Sequence, residues 1–149
     1  MTSSRTRPAR ILLVDDNGAD VALARAALKS SKLVVELETV ASGEAALAFL
    51  RREGRYAQAF VPDLVLLDVK MPGISGIETL HAIKSDPELR RTPVIMLTSS
   101  TQDEDVLRSY TEHANAYIPK PIDMDSFRII VQRLQDFWFS IVVLPARES

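Results

Sequence analysis

The chain has no cysteine among its 149 residues, which excludes disulfides, zinc–thiolate sites and thiol catalysis. No apolar run approaches the roughly 20 residues a membrane helix needs. The first ten residues carry charge and Ser/Thr without the apolar segment of a signal peptide, so the chain reads as cytoplasmic, with no membrane partner. Charge of one sign is not in excess either. The 18 basic and 20 acidic residues leave a formal charge of -2, which offers no basic surface to nucleic acid or an anionic membrane. Nor does a glycine-rich loop follow the first apolar run. Asp15-Asp16 stand there instead and would repel a phosphate unless a metal intervened, which argues against a nucleotide- or flavin-binding module.

What is present suits one globular domain, with 46% hydrophobic and 26% charged residues. Ile11-Leu12-Leu13-Val14 is too short for a helix and suits a strand buried on both faces. Helical spacing follows, with Val21, Leu23, Ala24, Ala27 and Leu28 apolar. Over residues 34–40, Val35, Leu37 and Thr39 alternate with Glu36 and Glu38, the pattern of a half-buried strand near a sheet edge. Ser42 caps a helix containing Ala45, Leu47 and Leu50. Further strands are predicted at 64–67, 94–97 and 116–118, and helices at 77–85, 104–112 and 126–136.

This alternation predicts an α/β fold with a five-stranded parallel sheet, doubly wound and flavodoxin-like, in strand order 2-1-3-4-5. Residues 1–8 are expected to form a disordered tail, 9–136 the domain, and 137–149 a C-terminal apolar extension.

In such a sheet the carboxyl ends of the strands gather along one edge, and ligands bind there beside the first and third strands. Asp15-Asp16 follow the first strand, Asp68 the third, Thr98 the fourth and Lys120-Pro121 the fifth. Crowded carboxylates repel and raise one another's pKa, which a purely structural core avoids. A hard divalent cation such as Mg2+ relieves that repulsion and suits phosphoryl transfer to a carboxylate nucleophile.

Each residue alone also has an ordinary use. Asp15-Asp16 could cap a helix, Asp68 could begin the turn at Met71-Pro72-Gly73, and Thr98 could cap the next helix. Lys120 could be a solvated surface lysine and Tyr117 a half-buried strand aromatic. His81 and His113 show no metal spacing and read as surface or partly packed residues.

Four segments in order resemble the receiver domain of two-component response regulators. They are Leu13-Val14-Asp15-Asp16-Asn17, Leu66-Leu67-Asp68-Val69-Lys70-Met71-Pro72-Gly73, Val94-Ile95-Met96-Leu97-Thr98-Ser99 and Tyr117-Ile118-Pro119-Lys120-Pro121. The resemblance implies that Asp68 is the phosphoacceptor and that Asp16 ligates Mg2+ directly. It implies that Asp15 acts mainly through water and that the backbone carbonyl of Lys70 completes the ligation. Thr98 and Lys120 would then meet the phosphoryl oxygens, Tyr117 would be an aromatic switch, and the Lys120–Pro121 bond would be cis. A phosphatase using an aspartyl nucleophile usually places an acid two residues later, where this chain has Lys70. That hydrolase and a phosphorylation-independent pseudo-receiver are the alternatives.

The pattern is nearly exhausted by Asp136, so a stand-alone receiver without direct DNA binding is expected. Its output would be a protein contact or a phosphoryl relay. Phe137-Trp138-Phe139 and Val142-Val143-Leu144-Pro145 hold the only Trp and two of five Phe residues. An exposed run of that kind marks an interface, although the same aromatics could fold onto the protein's own core. Together with Glu53-Gly54-Arg55-Tyr56-Ala57 and Ser85-Asp86-Pro87-Glu88-Leu89-Arg90-Arg91-Thr92-Pro93, it resembles the small phytochrome-associated response regulators. That resemblance implies a homodimer using Phe137, Trp138, Phe139, Val142 and Leu144, and a phytochrome-type sensor histidine kinase as partner.

Overall fold

Alternate residues of a strand face opposite sides of its sheet, and here both sides are covered. The structure, a computed structural model, describes residues 8–29, 35–98, 116–120 and 125. Five strands form one parallel sheet: β1 (Ala9–Val14), β2 (Val35–Val40), β3 (Leu64–Asp68), β4 (Val94–Thr98) and β5 (Ala116–Pro119). Their order is β2-β1-β3-β4-β5, as predicted. Helices α1 (Gly18–Lys29), α2 (Gly43–Arg51) and α3 (Gly76–Ser85) connect the first four in turn, and the stretch around Tyr56 forms a 3-10 turn, Gly54–Tyr56. The helices predicted at 104–112 and 126–136 lie outside the described residues, as do Pro121, with the cis bond expected before it, and the extension from Phe137 to Leu144.

The period of two divides the core into two layers. Ile11, Leu13, Leu64, Leu66, Ile95, Leu97 and Ile118 pack with Ala24 and Ala27 of α1. Leu12, Val14, Val65, Leu67, Val94 and Met96 pack on the other side with Ala46 and Phe49 of α2 and Leu80 and Ile83 of α3. Burial on both faces explains why β1, β3 and β4 read as unbroken apolar runs. β2 lies at the edge and alternates half-buried with exposed residues, which explains its Glu36 and Glu38. Leu23, read as an apolar-face residue of the first helix, is instead 39% exposed. It falls outside the stripe that Ala24 and Ala27 turn to the sheet.

Local chemistry fixes the helix starts. Ser42 accepts a hydrogen bond from the Ala45 N–H, as expected of an N-cap. Ser75 and Glu78 close a reciprocal capping box at α3. Gly73 has φ +78°, a left-handed conformation that favours glycine and confirms the turn after Met71-Pro72. Gly76 opens α3 with its backbone against β3, since a Cβ there would lie 2.0 Å from the Asp68 carbonyl oxygen. This contact seats the start of α3 directly on the end of the strand that carries Asp68. Among the described residues, no helix is long and apolar enough to cross a membrane.

Candidate functional site

The carboxyl ends of β1, β3, β4 and β5 are tied together by backbone hydrogen bonds. Val69 N–H donates to Leu97 O at 3.0 Å, and Lys120 N–H donates to Thr98 O at 2.7 Å. Asp15 N–H donates to Val40 O at the end of β2. These bonds hold Asp15, Asp68, Thr98 and Lys120 on a rigid edge, so their relative positions follow from the sheet register.

One carboxylate oxygen from each of Asp15, Asp16 and Asp68 lies within 4.8 Å of the other two. Asp15 and Asp68 are each 3% exposed, whereas Asp16 is solvent-exposed. Lys120 enters this acidic cluster with a side chain only 12% exposed, so the solvated-lysine reading does not hold. Its Nζ donates to Asp68 Oδ2 at 3.2 Å. It also lies 3.1 Å from Asp15 Oδ2, an ion pair buried on both sides. A third carboxylate, Asp20 in the first turn of α1, lies 2.6 Å from the same nitrogen.

The electrostatics follow from crowding and burial. Desolvation raises the Asp68 pKa from 3.8 to about 6, and the Asp15 charge pushes the same way. Lys120 and the Lys70 N–H, 3.4 Å from Asp68 Oδ1, oppose that rise. For Lys120, desolvation alone would lower the pKa, but the bond to Asp20, the charge of Asp68 and the contact with Asp15 outweigh it and raise the pKa overall. The ammonium is therefore a fixed positive charge at any physiological pH.

The structure thus brings together Asp15, Asp16, Asp68 and Lys120. Thr98 ends β4, fully buried, with an Oγ1 that makes no hydrogen bond among the described residues. Buried hydroxyls normally have partners, so this group is held ready for one. Tyr117 in β5 pairs with Met96 and packs half-buried against the layer containing α2 and α3. Lys70 is exposed. The capping role open to Asp15-Asp16 falls mainly to Asn17, whose Oδ1 accepts from Asp20 N–H at 3.0 Å, while Asp15 Oδ1 accepts from Asn17 N–H at 2.9 Å.

Sequence reading missed Asp20. The only signal for it was an acidic residue four positions after Asp16, which a favourable helix start already explains. It also missed Gly76, whose close approach to β3 leaves no local pattern.

Three clustered oxygens and an orphaned buried hydroxyl fit a hard divalent cation with an anionic group beside it. A doubly wound sheet with acidic residues after β1 and β3 and a buried lysine after β5 defines a receiver. Residues 11–132 match the response regulator receiver domain, and the chain belongs to that family. It is a receiver-domain response regulator with a phosphoacceptor signalling role, and receiver domains bind a divalent metal.

Response regulator Rcp1 of Synechocystis sp. is 40% identical over 146 residues, covering 98% of this chain and 99% of the relative. Among solved structures, the phosphorylated cyanobacterial phytochrome response regulator RcpA is 43% identical, with a TM-score of 0.74, covering 90% of this chain and 96% of that one. Bacteriophytochrome response regulator RtBRR is 39% identical with a TM-score of 0.78, covering 86% and 78%. The Mn2+-bound form of Rcp1 is 40% identical with a TM-score of 0.73, covering 88% and 94%.

Proposed function

We propose that Asp68 accepts a phosphoryl group from a sensor histidine kinase of the phytochrome type and that Mg2+ is the required cofactor. The observation that carries this reading is the Asp68 carboxylate, buried beside Lys120 Nζ and the oxygens of Asp15 and Asp16, in a sheet that also ends in the unbonded hydroxyl of Thr98. The family supports it. So do the similar structures described as phosphorylated, as Mn2+-bound or as phytochrome and bacteriophytochrome response regulators.

An Asp68 oxygen attacks phosphorus, the bond between phosphorus and the donor breaks, and an acyl phosphate forms. Asp15, Asp16, Asp68 and the Lys70 carbonyl would hold Mg2+, which supplies positive charge opposite the phosphoryl oxygens. Lys120 contributes a second positive charge and Thr98 a hydroxyl donor to those oxygens. Thr98 closing on the phosphoryl group would vacate space for Tyr117, turning a local charge change into a different surface at β5. The chain would act on itself only, by self-phosphorylation and self-dephosphorylation, and signal without binding DNA. The apolar run from Phe137 to Leu144 would join two copies as a cytoplasmic homodimer.

The test is incubation with a small-molecule phosphodonor, read on a phosphate-affinity gel. A labile adduct that requires Mg2+ and disappears with chelator is expected. No adduct with any donor would leave a phosphorylation-independent binding module as the better reading.

Lys70 follows Asp68 by two residues, where its charge lies near the path of water to the acyl phosphate. Lys70→Ala is expected to change the adduct's half-life by about 2- to 5-fold, the scale of one partly screened charge. Equal decay in the variant and the parent would sink this role.

A further inference from the structure

Asp20 has no part in the reading above, yet it makes the shortest contact to Lys120. Its Oδ2 lies 2.6 Å from Nζ, against 3.1 Å for Asp15 and 3.2 Å for Asp68. Asn17 fixes its backbone at the start of α1. Its side chain is 24% exposed where those of Asp15 and Asp68 are 1% and 5%, so it meets the ammonium from the solvent side of the cluster.

An ammonium has three N–H donors, and three carboxylates surround this one. A phosphoryl group on Asp68 brings new acceptor oxygens, and one existing partner must yield to them. Asp15 and Asp68 are anchored at strand ends and are the groups a cation would claim. Asp20 belongs to neither set.

We propose that Asp20 is a positioning residue, a resting counterion that holds Lys120 in the unphosphorylated protein and competes with phosphoryl oxygens for its ammonium. The inference rests on Asp68 being the phosphoacceptor. It predicts effects of opposite sign on the two ligands of the site. Removing the Asp20 charge frees Lys120 and lessens repulsion of the phosphoryl anion, so the anion binds more tightly. The same change removes a negative charge near the cation and lets the freed ammonium press harder on Asp15 and Asp68, so Mg2+ binds more weakly. General damage to the site would weaken both.

The experiment is calorimetric titration of the full chain, first with Mg2+ and then, at saturating Mg2+, with beryllofluoride as the phosphoryl analogue. It compares wild type, Asp20→Asn, Lys120→Met and the double variant. Asp20→Asn is expected to bind beryllofluoride about 3- to 10-fold more tightly, a coupling ordinary for contacting charged groups, and to bind Mg2+ at least about 2-fold more weakly. In the Lys120→Met background the beryllofluoride gain is expected to fall below about 2-fold, because the two residues act as one unit. Unchanged or weaker beryllofluoride binding by Asp20→Asn overturns the proposal. So does a gain of full size without Lys120, which would mean a plain field effect. Failure of wild type to take up beryllofluoride at saturating Mg2+ would instead overturn the phosphoacceptor reading, and this proposal with it.

Discussion

Replacing Asp68 by Asn is expected to abolish phosphorylation and to make the metal-free protein more stable at neutral pH. The first effect follows from the proposed role of Asp68, since the substitution removes the carboxylate oxygen that would attack phosphorus. The second follows from burial. Asp68 is 3% exposed, and loss of hydration, reinforced by Asp15, lifts its pKa from 3.8 to about 6. Between those values the folded protein holds a proton that the unfolded chain has released. The stability this group contributes is therefore complete below pH 3.8 and is lost as pH rises through about 6. A shift of about two pKa units corresponds to a ceiling of about 3 kcal/mol. Asn has nearly the same shape and no charge, and Lys120 keeps Asp15 and Asp20 as partners. In chelator, the difference in unfolding free energy between variant and parent should be near zero below pH 4 and should favour the variant above pH 6. Mg2+ should stabilise the parent more than the variant, because it binds the folded parent through one more carboxylate. Urea denaturation across this range provides the measurement. A variant no more stable than the parent at pH 7.5 in chelator would refute the electrostatic account. A phosphorylated variant would remove Asp68 as acceptor.

Crowded, buried carboxylates at the site cost the fold stability. A lysine amid carboxylates offsets part of the repulsion, but three acidic side chains, Asp15, Asp20 and Asp68, share its ammonium, and Asp16 adds a fourth carboxylate beside Asp15 and Asp68. The residual negative charge is what makes the edge selective for a cation, and it persists because the strand ends hold the carboxylates in place.

Much of this was legible in the sequence, for a physical reason. Strands buried on both faces must be short apolar runs, and the residues that end them must be polar. Asp15, Asp68, Thr98 and Lys120 therefore mark both the strand boundaries and the site edge. β1 begins two residues earlier than read, at Ala9, and Arg10, which interrupts the apolar run, sits there with its guanidinium beside Glu36, 3.4 Å away on the edge strand, and over the Phe60 ring. Contacts set by tertiary approach were not legible. Asp20 reaches Lys120 across the gap between α1 and β5, and one hundred residues of separation leave no spacing signal. Leu23 looked apolar-faced because periodicity gives the width of a stripe only roughly. Gly76 looked like any small residue at a helix start.

Gly76→Ala is expected to be the most damaging small substitution in the loop after β3. The added Cβ would lie 2.0 Å from the Asp68 carbonyl oxygen and 2.8 Å from both the Asp68 carbonyl carbon and Val69 Cα. All three are backbone atoms at the end of β3, so no rotamer change relieves the contact, and α3 must move away by about an ångström or β3 must distort. Overpacking of this kind costs about 3 kcal/mol. The movement also breaks the 2.8 Å bond from Gly76 N–H to Val69 O and carries the Asp68 carboxylate away from Lys120. Misplacement by an ångström lowers the rate of a positioned reaction by about 100-fold. The phosphorylation rate of the folded variant should therefore fall by far more than its folded fraction does. Gly18→Ala is the control. It also substitutes the first residue of a helix, but nothing lies within 4 Å of its Cβ, and a neutral or slightly stabilising effect is expected. Denaturation midpoints and phosphodonor labelling rates of the two variants, measured side by side, distinguish the close approach from a general intolerance of alanine. Equal behaviour of the two would show that the start of α3 does not hold Asp68 in register.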